Sequence, residues 1–595
     1  MNIGLELNGK QEPGIDSPTM ISRITLEHVF YGLILVVGAV TRFYNLGHIP
    51  LSPEEALQSL SVWTSWQAGA DSAQIISPAF FTLTTPLTQL FGYSDSIMRL
   101  IPTIFGIALV LVPWWLRSFT GRLGALIAAL LIAVSPLFVI TSRTADGSSI
   151  ALFAGLLLVA GWLNFQNSNN SRWFYVLSFA LGLGLTSSAL FYSILFTFIL
   201  ALIGERILGP ALFRNALGNR RANYRPDSKT LRNAGLIFAA TLLLIGTGFL
   251  LRLSGIGATA RILSDWLAAF LSPASLQDWL RPVSAFLRYE LLVVILGGSA
   301  VVWATWRGKA FPMLLVYWFM TALILMFIQR GIMENTLVLS LAGVLLIAAF
   351  VDSVLSVKTG IVKWLLALTI TFVGIVIYIN LGRYSRLLAS DVPVDIRTRT
   401  YHLLLIAIVT SVVLLILAIL WSSEKRASIQ GLVLGLLILL IGFSWSTALW
   451  LAADAANDTR EPWVLNATDG DIRLLADTIQ RASSQVIGSD VDLDLVSTID
   501  HPSLAWYLRE MRDLELGGSL SSTVTASGIL TEVDRETQLA NDYTGIDLAY
   551  SRPESDYPFD SSQYLNRWLF HENSTPINEK RLIFWLRSDL MGIER

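Results

Sequence analysis

The chain has 595 residues, of which 53% are hydrophobic and only 14% charged, with a mean hydropathy of +0.59. Soluble domains carry about 25% charged residues, so a soluble globular protein is excluded, and apolar runs of about 18 or more residues recur, each able to cross a hydrocarbon core of about 30 Å. With no cysteine in the chain, disulfides, thiolate metal sites and thiol nucleophiles are excluded as well.

The small net charge of −2 hides a split. Residues 451–595 carry 25 acidic and 12 basic side chains, a net of −13, while residues 1–450 carry 19 and 30, a net of +11. The pattern is a basic membrane body followed by an acidic soluble tail. Residues 1–25 are polar and read as a disordered tail without a cleaved signal peptide, because the first span is too long for a signal core.

The first span is predicted at 26–44. The loop at 45–96 is too apolar for free solvent and reads as interfacial helices. Spans follow at 97–116, 123–140, 149–165, 173–187 and 190–206. A basic loop at 205–232 precedes the span at 233–251. The loop at 252–286, with Trp266 and Trp279, again reads as interfacial helix. Six more spans are predicted at 287–306, 311–329, 335–351, 361–380, 401–421 and 428–450.

The fold class is therefore an α-helical polytopic membrane protein of about thirteen spans with a C-terminal soluble α/β domain at 451–595. Within the tail, DIRLLADTIQRA and HPSLAWYLREM have helical spacing, while VDLDLVS and RLIFWLR read as strands. The positive-inside rule puts the 205–232 loop and the N-terminus in the cytoplasm. Alternation then puts the Glu54–Glu55 loop, the turn after the third span and the tail outside a cell membrane. The basic stretch at 383–399 falls outside and counts against that scheme.

Two stretches hold chemistry. In Ser52-Pro53-Glu54-Glu55, Ser52 reads as a helix N-cap, Pro53 as the first helical residue and Glu55 as the third residue of a capping box. That explains Glu55 well and Glu54 less well. The functional alternative is a general base, which needs a carboxylate in a partly desolvated place. A phosphate leaving group would further need a cation or metal nearby. In SRTADGSS, Arg143 and Asp146 lie on the same side, with snorkelling and turn-capping as their structural alternatives. For Arg99, Arg261, Arg288 and Arg330 the membrane-anchor reading is favoured.

Arg42, LSPEEAL, FGYSDSIMRLIPTIFG and AVSPLFVITSRTADGSS together resemble the N-terminal half of the GT-C glycosyltransferases. Within these they are similar to the protein O-mannosyltransferase and aminoarabinose-transferase group. The resemblance covers about residues 26–200, and three motifs occur in order on one side. DTREPWV and HPSLAWYLRE resemble bacterial relatives with an outer C-terminal domain. The resemblance implies that Glu54 stands in place of the family's catalytic Asp, one methylene longer, with Glu55 as its partner. It assigns Arg143, Asp146 and Arg42 to the donor phosphate. It implies an inverting transfer from a polyprenyl-phosphate-linked sugar to a hydroxyl of a protein, lipid or glycan at the bilayer surface, without nucleic acid. No cofactor is certain, and a divalent metal occurs in some members. The competing readings are a transporter or flippase, and a non-catalytic binding protein. Spans almost free of charge and without paired interruptions argue against transport.

Overall fold

The computed structural model describes residues 25–591 apart from 66–74, 169, 213–226, 274, 358, 389–392, 422–423, 519–525, 534–538, 540–541, 555–567 and 572–575. The expectation of a disordered N-terminal tail and half of the 205–232 loop, residues 213–226, fall outside the described residues.

All thirteen apolar segments are helical, but not all are uninterrupted spans. Among the described residues, ten helices are long and apolar enough to cross a membrane, or eleven if one bent pair is a single span. Each shortfall has a local form. Residues 123–140 break into Arg122–Val134 and Pro136–Thr141, because proline lacks the N–H and clashes with the carbonyl four residues back. Residues 173–187 give a helix of only 15 residues, Ser171–Leu185. Residues 287–306 belong to a pair, Leu276–Tyr289 and Val293–Arg307, that meets at 91°. Its second half opens with a π-helical turn at Val293–Gly297, a geometry that usually appears as a local bulge.

The helices differ in what they face. The Ser148–Ser168 and Asn335–Leu355 helices run through the middle of the bundle, with 89% and 83% of their apolar windows buried, against 0% for Val394–Ile416. Close packing there needs small residues. A Cβ at Gly155, on the Ser148–Ser168 helix, would meet Ile194 at 2.7 Å. The peripheral helix leaves Leu403, Ile406, Val409 and Leu414 exposed, as a lipid-facing surface does.

Beyond the last span, six strands form one mixed sheet: β1 (Ala467–Thr468), β2 (Leu495–Ser497), β3 (Leu514–Leu516), β4 (Gly528–Glu532), β5 (Tyr543–Arg552) and β6 (Lys580–Arg587). Their order is β1-β5-β6-β4-β2-β3. β2 runs parallel to β3 and β4, and the other pairs are antiparallel. The Asp471–Ile487 helix buries Ile472, Leu475 and Ile479 in the core of this region, the i, i+3, i+7 spacing of one helix face.

This C-terminal region is seated on the loop that follows the first span. Asp95 accepts hydrogen bonds from Trp506 Nε1 at 3.1 Å, Tyr507 OH at 2.6 Å and Arg473 Nη2 at 2.6 Å. Arg473 also donates to the carbonyls of His48 and Gly47 at 2.7 and 2.8 Å. Deeper in, Glu461 pairs with Arg288 at 2.8 Å and accepts from Tyr289 OH at 2.7 Å, all buried. The two tail motifs singled out in the sequence, DTREPWV and HPSLAWYLRE, thus supply much of this seam. Arg288 is a buried ion-pair partner rather than a membrane anchor, whereas Arg330 stacks on Trp279 at 4.8 Å, as an anchor would.

Candidate active site

The Pro53–Thr64 helix starts as its sequence dictates. Ser52 Oγ accepts from the Glu55 N–H at 3.2 Å, and Glu55 Oε2 accepts from the Ser52 N–H at 2.9 Å. The rest of the Glu55 carboxylate is also taken. Arg99 binds it in a fork, Nε to Oε1 at 2.8 Å and Nη2 to Oε2 at 2.7 Å. The Ala145 N–H reaches Oε1 at 2.7 Å. Both partners are buried, at 4% and 6% exposure. Arg99 spends its remaining donors on the carbonyls of Leu46, Ile49 and Pro50. It is therefore an interior clamp and not the interfacial anchor its sequence position favoured.

Glu54 points elsewhere. It is exposed, and among the described residues its one hydrogen-bond partner is Asn466 Nδ2, which donates to Oε1 at 3.1 Å. Glu54 and Glu55 together line a cavity of about 220 Å³ that Arg99, Arg143, Asp146 and Glu334 also line. The far wall is the 463–468 segment leading into and through β1. The structure therefore brings four of the five sequence-derived candidates to one cavity.

Arg42 is the exception and is not among the lining residues. It is fully buried and donates to Ile132 O and Ala133 O at 3.0 Å each, and to Gly38 O at 3.1 Å. Pro136 has no N–H to offer the Ile132 carbonyl four residues back, and the break also frees Ala133. Arg42 satisfies the carbonyls that the break orphans, so its expected place at the donor phosphate is not where the structure puts it.

Arg143 has a mixed position. Nη1 donates to the carbonyls of Thr41, Arg42 and Tyr44, and Nη2 to those of Asn45 and Ala452. It thereby ties the end of the first span to the end of the last. Among the described residues, no hydrogen bond involves Nε. Burial, with the nearby Arg99, lowers its pKa to about 10, so it remains a cation at neutral pH. Asp146 accepts from the Ser148 N–H at 2.8 Å and from Ser148 Oγ at 3.0 Å. Burial nevertheless pushes its carboxyl up to about 7, and the charges of Glu334 and Glu55 add to the shift. Glu334, also raised by burial, precedes the Asn335–Leu355 helix as its N-cap residue.

Sequence reasoning missed Glu334 and Asn466. Glu334 had a signal, an acid directly before a span in QRGIMEN. Asn466 had none. Among the described residues, no group of three or more His, Asp or Glu is placed to hold a metal ion.

Comparison with known proteins bears on this geometry. Residues 76–216 match a family model described as dolichyl-phosphate-mannose-protein mannosyltransferase. No curated protein matches the chain. Among solved structures, ArnT from Cupriavidus metallidurans in the apo state aligns at 14% identity and a TM-score of 0.51, covering 94% of this chain and 98% of that one. ArnT from the same organism bound to undecaprenyl phosphate aligns at 14% identity and 0.48, covering 82% and 85%. An Archaeoglobus fulgidus oligosaccharyltransferase tethered with an acceptor peptide aligns at 12% and 0.43, covering 85% and 69%. The likeness to apo ArnT shows the fold: a multi-pass membrane protein of GT-C-like architecture with a C-terminal sheet region. The narrower resemblance, to the mannosyltransferase and ArnT group, is carried by the segment that the family model matches and by the motifs around Glu54 and Arg143.

Proposed function

We propose that this protein is an integral-membrane glycosyltransferase that moves a sugar from a polyprenyl-phosphate donor to an acceptor hydroxyl, with Glu54 as general base. The observation that carries the reading is the contrast within one acid pair. Glu55 is consumed by Arg99, Ser52 and Ala145, while Glu54 lines the cavity and, among the described residues, has only Oε1 engaged.

In this mechanism Glu54 Oε2 takes the proton from the acceptor hydroxyl. The hydroxyl oxygen forms its bond to the anomeric carbon on the face opposite the phosphate. The bond from that carbon to the phosphate oxygen breaks, its electron pair leaves with polyprenyl phosphate, and the configuration inverts. Arg143 Nε offers the leaving phosphate a charged donor, and Asp146 shapes the same pocket. Positioning a general base is worth about 10²–10⁴-fold in rate. The bilayer holds the lipid part of the donor, and the C-terminal region beside the cavity borders the acceptor's path. The division into a membrane body at 26–450 and a tail at 451–595 belongs to this proposal, as does an outer face of the cell membrane for the site. The basic turns on the opposite side of the chain's alternating spans support that orientation.

The test is Glu54→Gln in the full chain, reconstituted in nanodiscs. The donors are undecaprenyl-phosphate hexoses and pentoses, the acceptors an extract of bacterial membranes, and the readout release of undecaprenyl phosphate. Release by the wild type, lost by at least about 100-fold in Glu54→Gln at unchanged melting temperature, is the expected result. A variant that keeps wild-type release would end the general-base assignment.

A further inference from the structure

The cavity described above is closed on one side by a segment about 400 residues away in sequence, and that segment touches Glu54 itself. We propose that Asn466 is a positioning residue for the reaction: its amide holds one oxygen of Glu54 and turns the other toward the acceptor, which makes the C-terminal region part of the active site. The inference rests on the reading of Glu54 as the base.

Three contacts fasten the Leu51–Glu54 strip to the C-terminal region. The Leu51 N–H donates to Tyr507 OH at 2.9 Å. Thr468 Oγ1 donates to the Leu51 carbonyl at 2.6 Å. Asn466 Nδ2 donates to Glu54 Oε1 at 3.1 Å. The first two grip both backbone polar groups of one residue, three positions before Glu54, so the strip's height and direction are fixed. The third acts on the carboxylate directly.

Asn466 is itself held in place. The next two residues, Ala467 and Thr468, are buried and form β1, paired with Arg552 and Ser551 of β5. Thr468 Oγ1 also lies 2.6 Å from Ser503 Oγ. Beyond them, Asp469 is bound by Arg552 Nε at 2.7 Å. The sheet edge therefore presents the Asn466 side chain from a rigid base. The chemistry also fixes which way the amide faces. A carboxylate only accepts hydrogen bonds, so the NH₂ group must point at Glu54 and the amide oxygen away.

The consequence is geometric. A carboxylate on an exposed helix start samples several rotamers. With Oε1 tied, Oε2 is left as the proton acceptor in one orientation. A displacement of about 1 Å at a reacting group costs on the order of 100-fold in rate. Such a residue acts on turnover and leaves substrate binding nearly untouched.

The experiment has two arms in the full-length protein. The chain has no cysteine, so Glu54→Cys with Asn466→Cys gives a single thiol pair. A short bis-thiosulfonate reagent is expected to link residues 54 and 466, read as a joined tryptic peptide. No link under conditions where each thiol alkylates singly overturns the geometry. In the second arm, Asn466→Leu keeps the volume and removes the donor, and Asn466→Gln restores an amide. With the donor panel and acceptor extract described above, Asn466→Leu should lower kcat by about 10- to 100-fold with KM within about threefold. Asn466→Gln should recover most of the loss, and both variants should melt like the wild type. If Asn466→Leu turns over normally while Glu54→Gln is dead, the positioning role is overturned and the glycosyltransferase reading stands. If Glu54→Gln itself keeps activity, the general base is overturned and the positioning role falls with it.

Discussion

The two walls of the cavity are built differently. The wall from the membrane body is closely bonded. Glu55 has five contacts and Arg99 has further carbonyl partners, so both are saturated, while Arg143 clasps five carbonyls through Nη1 and Nη2 and leaves Nε over among the described residues. The wall from the C-terminal region is sparse and reaches Glu54 through the single amide of Asn466. A saturated group has little freedom to exchange protons or bind a substrate, because each new partner must displace one already present. The buried acid is thus bound as scaffold, and in the proposed reaction the chemical role goes to the exposed one, although the two are adjacent in sequence.

That contrast is broken most directly by treating the two acids alike. Glu54→Gln should abolish transfer and leave stability within about 0.5 kcal/mol, as exposed substitutions do. Glu55→Gln should do the reverse in stability. It leaves the Arg99 guanidinium buried without its counter-charge, a loss on the order of 3–5 kcal/mol. Activity and folded yield should therefore fall together for Glu55→Gln, measured as transfer per folded molecule after size-exclusion chromatography. Equal melting temperatures for the two variants would contradict the division of roles.

A smaller effect is expected at the seam between the two walls. Asp95 gathers Trp506, Tyr507 and Arg473. Asp95→Asn removes the charge that Arg473 pairs with and one acceptor oxygen of three contacts. Charge-assisted hydrogen bonds of this kind contribute about 1.5–3 kcal/mol. Loosening the seam should raise hydrogen exchange in Gly47–Leu51 and in Pro502–Tyr507 together, while the Asn335–Leu355 helix stays protected. Exchange rising on one side of the seam only would show that Asp95 does not couple them.

Much of this was legible in the chain itself. The capping box at Ser52 appears in the structure bond for bond, since it depends on residues three apart. The apolar segments were all found, because hydropathy is a local property. The count of spans was not, because one proline at 136 and short turns decide whether a segment is continuous. Arg42 is instructive. Its partners Ile132 and Ala133 lie about 90 residues away, and a motif-based assignment to the phosphate had no means of seeing two orphaned carbonyls. Arg99 was misread as an anchor for the same reason: a cation near a membrane surface looks alike whether it faces lipid headgroups or Glu55. Asn466 carries neither charge nor periodicity, and its importance comes only from the sheet edge that aims it.

The last and mildest way to sharpen the comparison is through Asp146, which lines the same cavity. Burial holds its carboxyl up to about 7, against the opposing pull of the Ser148 hydrogen bonds, with Glu334 and Glu55 adding to the rise. Below that pH it is neutral, and above it is an anion in a cavity where Arg143 supplies the positive charge. The donor in the proposed reaction is a phosphodiester and keeps its single negative charge across this range. Raising the pH through 7 therefore adds a repulsion where the donor binds. The expected outcome is an apparent KM for donor that rises about 3- to 10-fold between pH 6 and 8, the size of one added charge about 6 Å away at an effective dielectric of about 40–80. Asp146→Asn should hold the low-pH KM throughout, and added salt should flatten the wild-type curve only in part, since screening acts weakly inside a cavity. If Asp146→Asn follows the wild-type curve, the titrating group lies elsewhere, and Glu334, the other raised carboxyl of the cavity, is the next to substitute.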